Sequence, residues 1–374
     1  MARSGKRIKI LYTIPNFDTA GSGKALLNVA SRLDDSLFEA HIACLHDKGD
    51  FFEVVEASGI PVHILKFTTP MKPYYKGIWN CYKMSRELKS IKPDIIHSMH
   101  YSSDYSEPLA AKMAGIKWVY TKKNMNWGGS SKNAWRLRTM LAKAVVVHNT
   151  DMARSFFLNS KKTHFIPRGV DTISFDYFPN GDFLRDKWSV KFADRIIVCI
   201  ANLTQIKGMD VLIRAFKLVC NDYSEWKLFI VSNNTNSYGK ALITLTQTLG
   251  IDKQVIFCGR QLDVVPFLNL AECSALPTLE KGEGSPVALL EAMACGLNVL
   301  GSNVPGIKDI LKPFPENLVT AGDIDAWGKA LKAIFHNSTQ ENKMKGMAFR
   351  NHVLQNYDIA KEVSLCKKMY LDSI

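Results

Sequence analysis

The sequence predicts an α/β protein of two similar doubly wound units. Three observations carry this. Short apolar runs of strand length recur along the chain, helix-like stretches separate them, and the alternation restarts after a turn-rich segment past residue 167. In the first half the strand candidates are IKILYTI, EAHIACLH, PVHILKF, DIIHSM, KWVYT, AVVVHN and THFIP. They are continuous Ile/Val/Leu runs, which suits strands buried on both faces of a parallel sheet. Between them lie patterns such as GKALLNVASRL and DYSEPLAAKMAG, so the order is strand, helix, strand. In the second half RIIVCIAN, WKLFIVS, QVIFCG, CSALP and NVLGS repeat the scheme.

Length and composition agree. A chain of 374 residues with 47% hydrophobic content exceeds what one core usually supports. Residues 168–193 are rich in turn formers and aromatics and read as the linker. The expected domains are 1–175 and 176–356, with a closing helix over 357–374 that packs back on the first. Ligands of open α/β sheets sit beyond the carboxyl ends of the strands, so the loops that follow strands matter most, and a cleft between the two units is expected.

Eight cysteines occur without any C-x-x-C pair, mostly inside apolar runs. They read as reduced core thiols, not as a disulfide frame or zinc site. The N-terminal MARSGKRIKILYTIPN lacks a signal-peptide core, and no stretch approaches the ~20 apolar residues of a membrane span. A cytoplasmic protein is expected, with a peripheral position at the inner face of the membrane as an option. Net charge is +13, and it is unevenly spread: residues 1–178 hold 26 Lys and Arg against 15 Asp and Glu, residues 179–374 hold 22 against 20. A basic half attracts anionic lipid or phosphorylated substrates. No base-reading motif accompanies it, so nucleic acid is not an expected partner.

The most informative segment is EKGEGSPVALLEAMACGLNVLG, residues 280–301. It follows the strand CSALP. Ser285 suits an N-cap and Pro286 a first helical turn, with the helix stopping at Gly296. Glu283 then lies at the helix mouth and Glu291 about two turns down. Backbone N–H groups around Ser285, Val287 and Ala288 suit a phosphate. Glu291 sits among Leu289, Leu290, Ala292 and Met293, which argues against a solvated position.

Glu283, seven intervening residues, Glu291 and then AMACG are similar to the signature of the large family-four retaining glycosyltransferases. Those have the GT-B fold, two Rossmann-like domains with the active site between them. The resemblance implies that Glu283 contacts hydroxyls of the donor sugar and that Glu291 binds the ribose. A carboxylate can accept two vicinal hydroxyls, which suits both roles. Gly284, Ser285, Pro286 and Val287 would line the diphosphate. Lys207-Gly208, in IANLTQIKGMDVLIRAF, resemble the family's donor-phosphate segment. The family has an Arg five residues before the Lys, where this chain has Asn202. Asn can hydrogen-bond a phosphate without neutralising it. Arg260, in FCGRQLD, is either its replacement or a surface arginine.

In the first half, Gly21, Ser22 and Gly23 follow the first strand. The family's glycine loop here approaches the diphosphate or sugar; an ordinary strand–helix turn explains the glycines as well. The family often places a His near the sugar in the loop that reads VYTKKNMNWGG here. Lys123 stands at that position, with Asn124 beside it. His97 and His100, in the preceding post-strand loop, are acceptor or sugar candidates, or structural.

The expected activity is therefore transfer of a hexosyl or N-acetylhexosaminyl group from a UDP- or GDP-linked sugar, with retention, to a lipid-linked or envelope glycan. No cofactor or metal is expected beyond the nucleotide sugar as substrate. Asp323 and Asp325 form an Asp-x-Asp, but they precede an amphipathic pattern and read as a helix cap. The rivals are a nucleotide-sugar epimerase on the same fold and a scaffold with a degenerate transferase fold, which Asn202 and Lys123 keep open. Finally, MKPYYKGIWNCYKMSRELKSIKP places Tyr74, Ile78 and Tyr82 at four-residue steps, with Trp79 beside them and Lys72, Lys76, Lys83, Arg86 and Lys89 interspersed. That pattern fits an interfacial helix on an anionic bilayer, or a helix with an aromatic core face and a basic solvent face.

Overall fold

The structure is a computed structural model. It describes residues 6–18, 20–49, 51–123, 125, 132–157, 160–178, 181–280 and 283–374. The chain divides into two compact units, Met1–Pro167 with Ile359–Ile374, and Arg168–Asp358.

Unit 1 alternates strands and helices in the order β1 (Ile8–Thr13), α1 (Ala20–Ala30), β2 (Phe38–Cys44), α2 (Phe52–Glu56) and β3 (Val62–Ile64). It continues through α3 (Tyr74–Ile91), β4 (Ile95–Ser98), α4 (Ser106–Ala114), β5 (Lys117–Thr121), α5 (Lys132–Leu141), β6 (Ala144–Val147), α6 (Thr150–Phe157) and β7 (Thr163–Phe165). The sheet order is β3-β2-β1-β4-β5-β6-β7, with every pairing parallel. Both faces are buried, as the continuous apolar runs require. On β1, Ile10 and Tyr12 pack with Leu26 of α1, while Leu11 packs on the other side with Cys81, Leu88 and Ala110.

Unit 2 begins with α7 (Phe183–Lys187), β8 (Arg195–Ile200), α8 (Met209–Val219), β9 (Trp226–Val231), α9 (Ser237–Thr248) and β10 (Val255–Gly259). Then come α10 (Val265–Leu270), β11 (Cys273–Leu276), α11 (Val287–Ala294), β12 (Asn298–Ser302), α12 (Ile307–Ile310), β13 (Leu318–Val319), α13 (Ile324–His336) and α14 (Thr339–Asn356). Its sheet order is β10-β9-β8-β11-β12-β13, again parallel throughout. Both units are thus Rossmann-like.

The last helix, α15 (Ile359–Ser373), belongs to unit 1. Met369 and Tyr370 are fully buried there, and the Tyr370 hydroxyl donates to that of Tyr12 at 3.0 Å. Asp323 caps α13, accepting from the Ala326 N–H at 2.9 Å, as the sequence suggested. The eight cysteines are buried and unpaired with one another.

Three readings of local structure need correction. Residues 168–193 are no spacer: Val170, Phe175, Leu184 and Val190 enter the unit 2 core beside Val198 and Phe229. Of the aromatics in this stretch, Phe175 is a core residue and Trp188 packs partly buried against the core, while Tyr177, Phe178, Phe183 and Phe192 stay exposed. Gly21 and Gly23 do not form a loop ahead of a helix but lie in the first turn of α1. Gly23 is required by packing, since a Cβ there would come within 2.7 Å of the Phe17 ring, whereas nothing lies within 4 Å of a Cβ at Gly21. Third, α3 buries Gly77, Cys81, Met84, Ser85 and Leu88, so its aromatics do not form a core face.

Candidate active site

In unit 2 the strand order reverses between β8 and β11. The loops after these two strands therefore meet at the topological switch point, where open α/β sheets hold ligands. After β8 the chain makes a short 3-10 turn, Gln205–Lys207, and enters α8 through Gly208. Gly208 has φ +63°, and a Cβ there would stand 2.2 Å from the Pro277 carbonyl oxygen. Only glycine satisfies both the backbone angle and the close approach. The Leu279 N–H donates to the Ile206 carbonyl at 2.8 Å, which ties the two post-strand loops together.

This tie brings Lys207 and Glu283 into contact. Lys207 Nζ donates to Glu283 Oε2 in a short ion pair. Thr278 Oγ1 lies 3.4 Å from the same oxygen. The Glu283 residue is 8% exposed, so its carboxylate is sheltered at the rim and held by a cation. Removing water from both groups is costly unless they stay paired or gain a ligand.

Glu291 sits inside α11, 9% exposed, with Leu289, Leu290, Ala292 and Met293 buried around it. Burial and then the Glu291 charge push the Cys295 thiol up to about 12, so that sulfur stays protonated. The helix differs from expectation at its start. Pro286 is the N-cap and makes no side-chain cap bond. Ser285 instead accepts the Val287 N–H through its carbonyl at 3.1 Å. Proline has fixed φ and no N–H to give, so the turn closes through Ser285's backbone. Gly284 precedes this turn. Asn202 and Arg260 are both exposed on loops of the same carboxyl rim, after β8 and β10. The Asn202 carbonyl accepts from the Thr204 N–H at 2.9 Å.

In unit 1 the order reverses between β1 and β4. Here the rim sits on a buried polar network that the sequence reading missed. Glu107, in the first turn of α4, is 0% exposed. It accepts from Thr13 Oγ1 in a short bond and from Ser98 Oγ at 2.7 Å, and His100 Nε2 lies 3.2 Å away. Burial pushes its carboxyl up, but His100, Arg138 and Thr13 outweigh this and hold it below the usual range. Arg138, also 0% exposed, donates to the Asp104 carbonyl at 2.5 Å and to Ser98 Oγ at 3.0 Å. Its guanidinium lies 4.6 Å from the Trp118 ring centre and 5.0 Å from that of Tyr120. A glutamate amid Pro108, Leu109, Ala110 and Ala111 was the available signal.

Among the first-half candidates, His97 is a core residue. Its Nδ1 meets the Tyr370 hydroxyl at 2.6 Å and its Nε2 meets Thr121 Oγ1 at 2.8 Å, so both ring nitrogens are engaged within the fold. His100 is 3% exposed and belongs to the Glu107 network, with its Nδ1 accepting from the Ser102 N–H at 3.3 Å. Neither offers a ring nitrogen to a sugar. Lys123 remains at the rim, 4.8 Å from the Tyr101 ring centre, and Tyr101's hydroxyl lies 3.1 Å from Ser22 Oγ. These three side chains join the first turn of α1 to the loops after β4 and β5. Asn124 lies outside the described residues. Next to Lys123, Lys122 is 0% exposed between Trp135 and Phe156. Burial first, and then the Arg138 charge, push its ammonium down to about 8. Among the described residues no cluster of three His, Cys, Asp or Glu could hold a metal.

The two units match two glycosyltransferase families in turn. Residues 19–173 match Glycosyltransferase Family 4, and residues 182–350 match Glycosyl transferases group 1. The chain is 23% identical over 315 residues to the UDP-Gal:alpha-D-GlcNAc-diphosphoundecaprenol alpha-1,3-galactosyltransferase of Escherichia coli, covering 80% of each chain. It is 28% identical over 213 residues to a GDP-mannose-dependent alpha-(1-6)-phosphatidylinositol monomannoside mannosyltransferase of Mycolicibacterium smegmatis, covering 54% of each. Among solved structures, a glycosyltransferase from Rickettsia africae ESF-5 superposes with TM-score 0.84 at 18% identity over 98% of both chains. HepE of Anabaena, in complex with UDP and glucose, superposes with TM-score 0.82 at 17% identity over 98% of this chain and 100% of that one. These relatives favour sugar transfer over epimerisation or a scaffold role. The protein belongs to the family-four glycosyltransferases of the GT-B fold and is a nucleotide-sugar-dependent transferase.

Proposed function

We propose that the protein moves a hexosyl or N-acetylhexosaminyl group from a UDP-sugar to a lipid-linked envelope glycan, with retention and without a metal ion. The observation that carries this is the Lys207–Glu283 pair at the β8/β11 switch point. A departing UDP accumulates charge on its β-phosphate, and a fixed ammonium stabilises such charge most where water is excluded. Lys207 supplies that ammonium without a metal. Once the diphosphate engages Lys207, the Glu283 carboxylate is released to accept hydroxyls of the donor sugar. Glu291, sheltered about one turn down α11, accepts the ribose hydroxyls.

In the reaction the anomeric C–O bond to the β-phosphate breaks. The acceptor oxygen bonds to the same face of that carbon, and its proton passes to the departing phosphate oxygen. No carboxylate nucleophile is required in this step, and the released Glu283 carboxylate is occupied by the sugar hydroxyls. The E. coli relative, named for a UDP-linked donor and a diphosphoundecaprenol acceptor, supports the uridine and lipid parts of this reading. A cytoplasmic enzyme at the inner face of the membrane suits such an acceptor.

The test is UDP release from UDP-galactose, UDP-glucose and their N-acetylamino forms, in EDTA, with an N-acetylglucosaminyl diphospho-polyprenol acceptor. Expected are acceptor-dependent UDP release and a product of the donor's anomeric configuration. Turnover with GDP-mannose alone, an inverted product, or loss of activity in EDTA would contradict the corresponding part.

A further inference from the structure

We infer that the outward face of α3 is a docking surface for an anionic lipid bilayer. The inference rests on the lipid-linked acceptor proposed above for its biological sense, but its test uses neither donor nor acceptor.

The sequence leaves two faces possible for the aromatics of this helix, and the fold decides between them. The buried side is made of small and aliphatic residues: Gly77, Cys81, Met84, Ser85 and Leu88. A Cβ at Gly77 would come within 2.6 Å of the Met71 carbonyl oxygen, so the helix is seated closely on that side. The aromatics and Ile78 point to solvent: Tyr75 is 80% exposed, Tyr74 58%, Trp79 56%, Ile78 49% and Tyr82 46%. Single exposed apolar residues are ordinary, but a contiguous group marks an interaction site. Tyr75, Ile78, Trp79 and Tyr82 recur at three- and four-residue spacing and form one stripe. The Trp79 and Tyr82 rings stack with centres 5.7 Å apart.

The charge around the stripe selects the occupant. Arg86 and Lys89 continue it along the helix, and Lys83 lies beside it with its ammonium 5.6 Å from the Trp79 ring centre. Lys72 and Lys76 flank the other end, and Glu87 is the one acidic residue of α3. Trp and Tyr are the side chains that settle at the headgroup level of a bilayer, and Lys and Arg reach past them to lipid phosphate. A second copy of this chain is a poor fit, because a two-fold contact through this face would set basic residues against their own kind. No described helix is long and apolar enough to cross a membrane, so α3 would lie along the surface.

The experiment is flotation of the full chain with phosphatidylcholine vesicles and with vesicles that also contain phosphatidylglycerol. The wild type is expected to float with the anionic vesicles and to detach as salt is raised. Replacing Tyr75, Trp79 and Tyr82 together with serine should weaken partitioning by about tenfold or more. Replacing Lys83, Arg86 and Lys89 together with glutamine should weaken it by about tenfold or more and reduce the salt dependence. Unchanged thermal unfolding in both variants checks that they fold. Failure of the wild type to float with anionic vesicles overturns the inference, as does flotation of folded variants at the wild-type level. A concentration-dependent dimer dispersed by the serine variant would assign the face to a second copy and overturn it too. Vesicle binding without any UDP-dependent activity would leave this surface standing and reject the donor reading alone.

Discussion

Both sheets reverse strand order once, at β1/β4 in unit 1 and at β8/β11 in unit 2, yet the two rims are built differently. In unit 2 the charged groups lie at the rim. Lys207 and Glu283 keep side-chain exposures of 19% and 10%, close enough to solvent to exchange each other for a ligand. In unit 1 the Glu107–Arg138 pair lies beneath the rim. Glu107 and Arg138 are fully buried, and they bond to the ends of β1 and β4 and to the loop that carries Tyr101. The first arrangement is suited to binding and releasing an anion. The second fixes a loop in place. Similar topology therefore supports two roles, distinguished by how far the charges sit from water.

This contrast makes graded predictions. The largest effect is expected in unit 1: Glu107→Ala leaves Arg138 buried beside a missing partner and should destabilise the fold by about 3–5 kcal/mol, read by urea unfolding. A loss below about 1 kcal/mol would mean that water already reaches the site. In unit 2 the effect should fall on turnover instead. Glu283→Gln should lower kcat by roughly a hundredfold or more while UDP affinity and stability stay close to wild type. A stability loss as large as that of Glu107→Ala would make the pair structural and erase the contrast.

A smaller effect concerns pH. The Lys122 ammonium is pushed down to about 8 in the fold, against roughly 10.4 in an unfolded chain. Between these values the unfolded state binds more protons, so this residue's contribution to stability rises with pH through that window. The gain is at most about 3 kcal/mol. It is measured as the difference between wild type and Lys122→Met across the same pH range, which removes the titration of other groups. A flat difference would show that Lys122 is neutral, or equally charged, in both states.

The strands were legible because buried parallel strands are continuous apolar runs, and WKLFIVS or AVVVHN leave little alternative. The Lys207 and Glu283 segments were legible as glycine-punctuated turns after strands. Their contact was not, because it depends on the backbone bond from Leu279 to Ile206. Ser285 misled because a serine before proline looks like a cap, while the chain used its carbonyl. Glu107 and Arg138 come from separate helices, and no local pattern pairs them. For α3 the period fixed that the aromatics share a side, but only packing of Gly77 and Cys81 against Met71 and Ser106 decided which side was covered.

The most direct test of the central claim, that the β8/β11 rim holds the donor nucleotide, is calorimetric titration of UDP without metal into the wild type, Lys207→Ala and Glu291→Ala. Binding by the wild type, weakened about tenfold or more in each variant through the loss of a charge-assisted bond, is the predicted result. UDP binding of equal strength in all three proteins would place the nucleotide elsewhere and contradict the account.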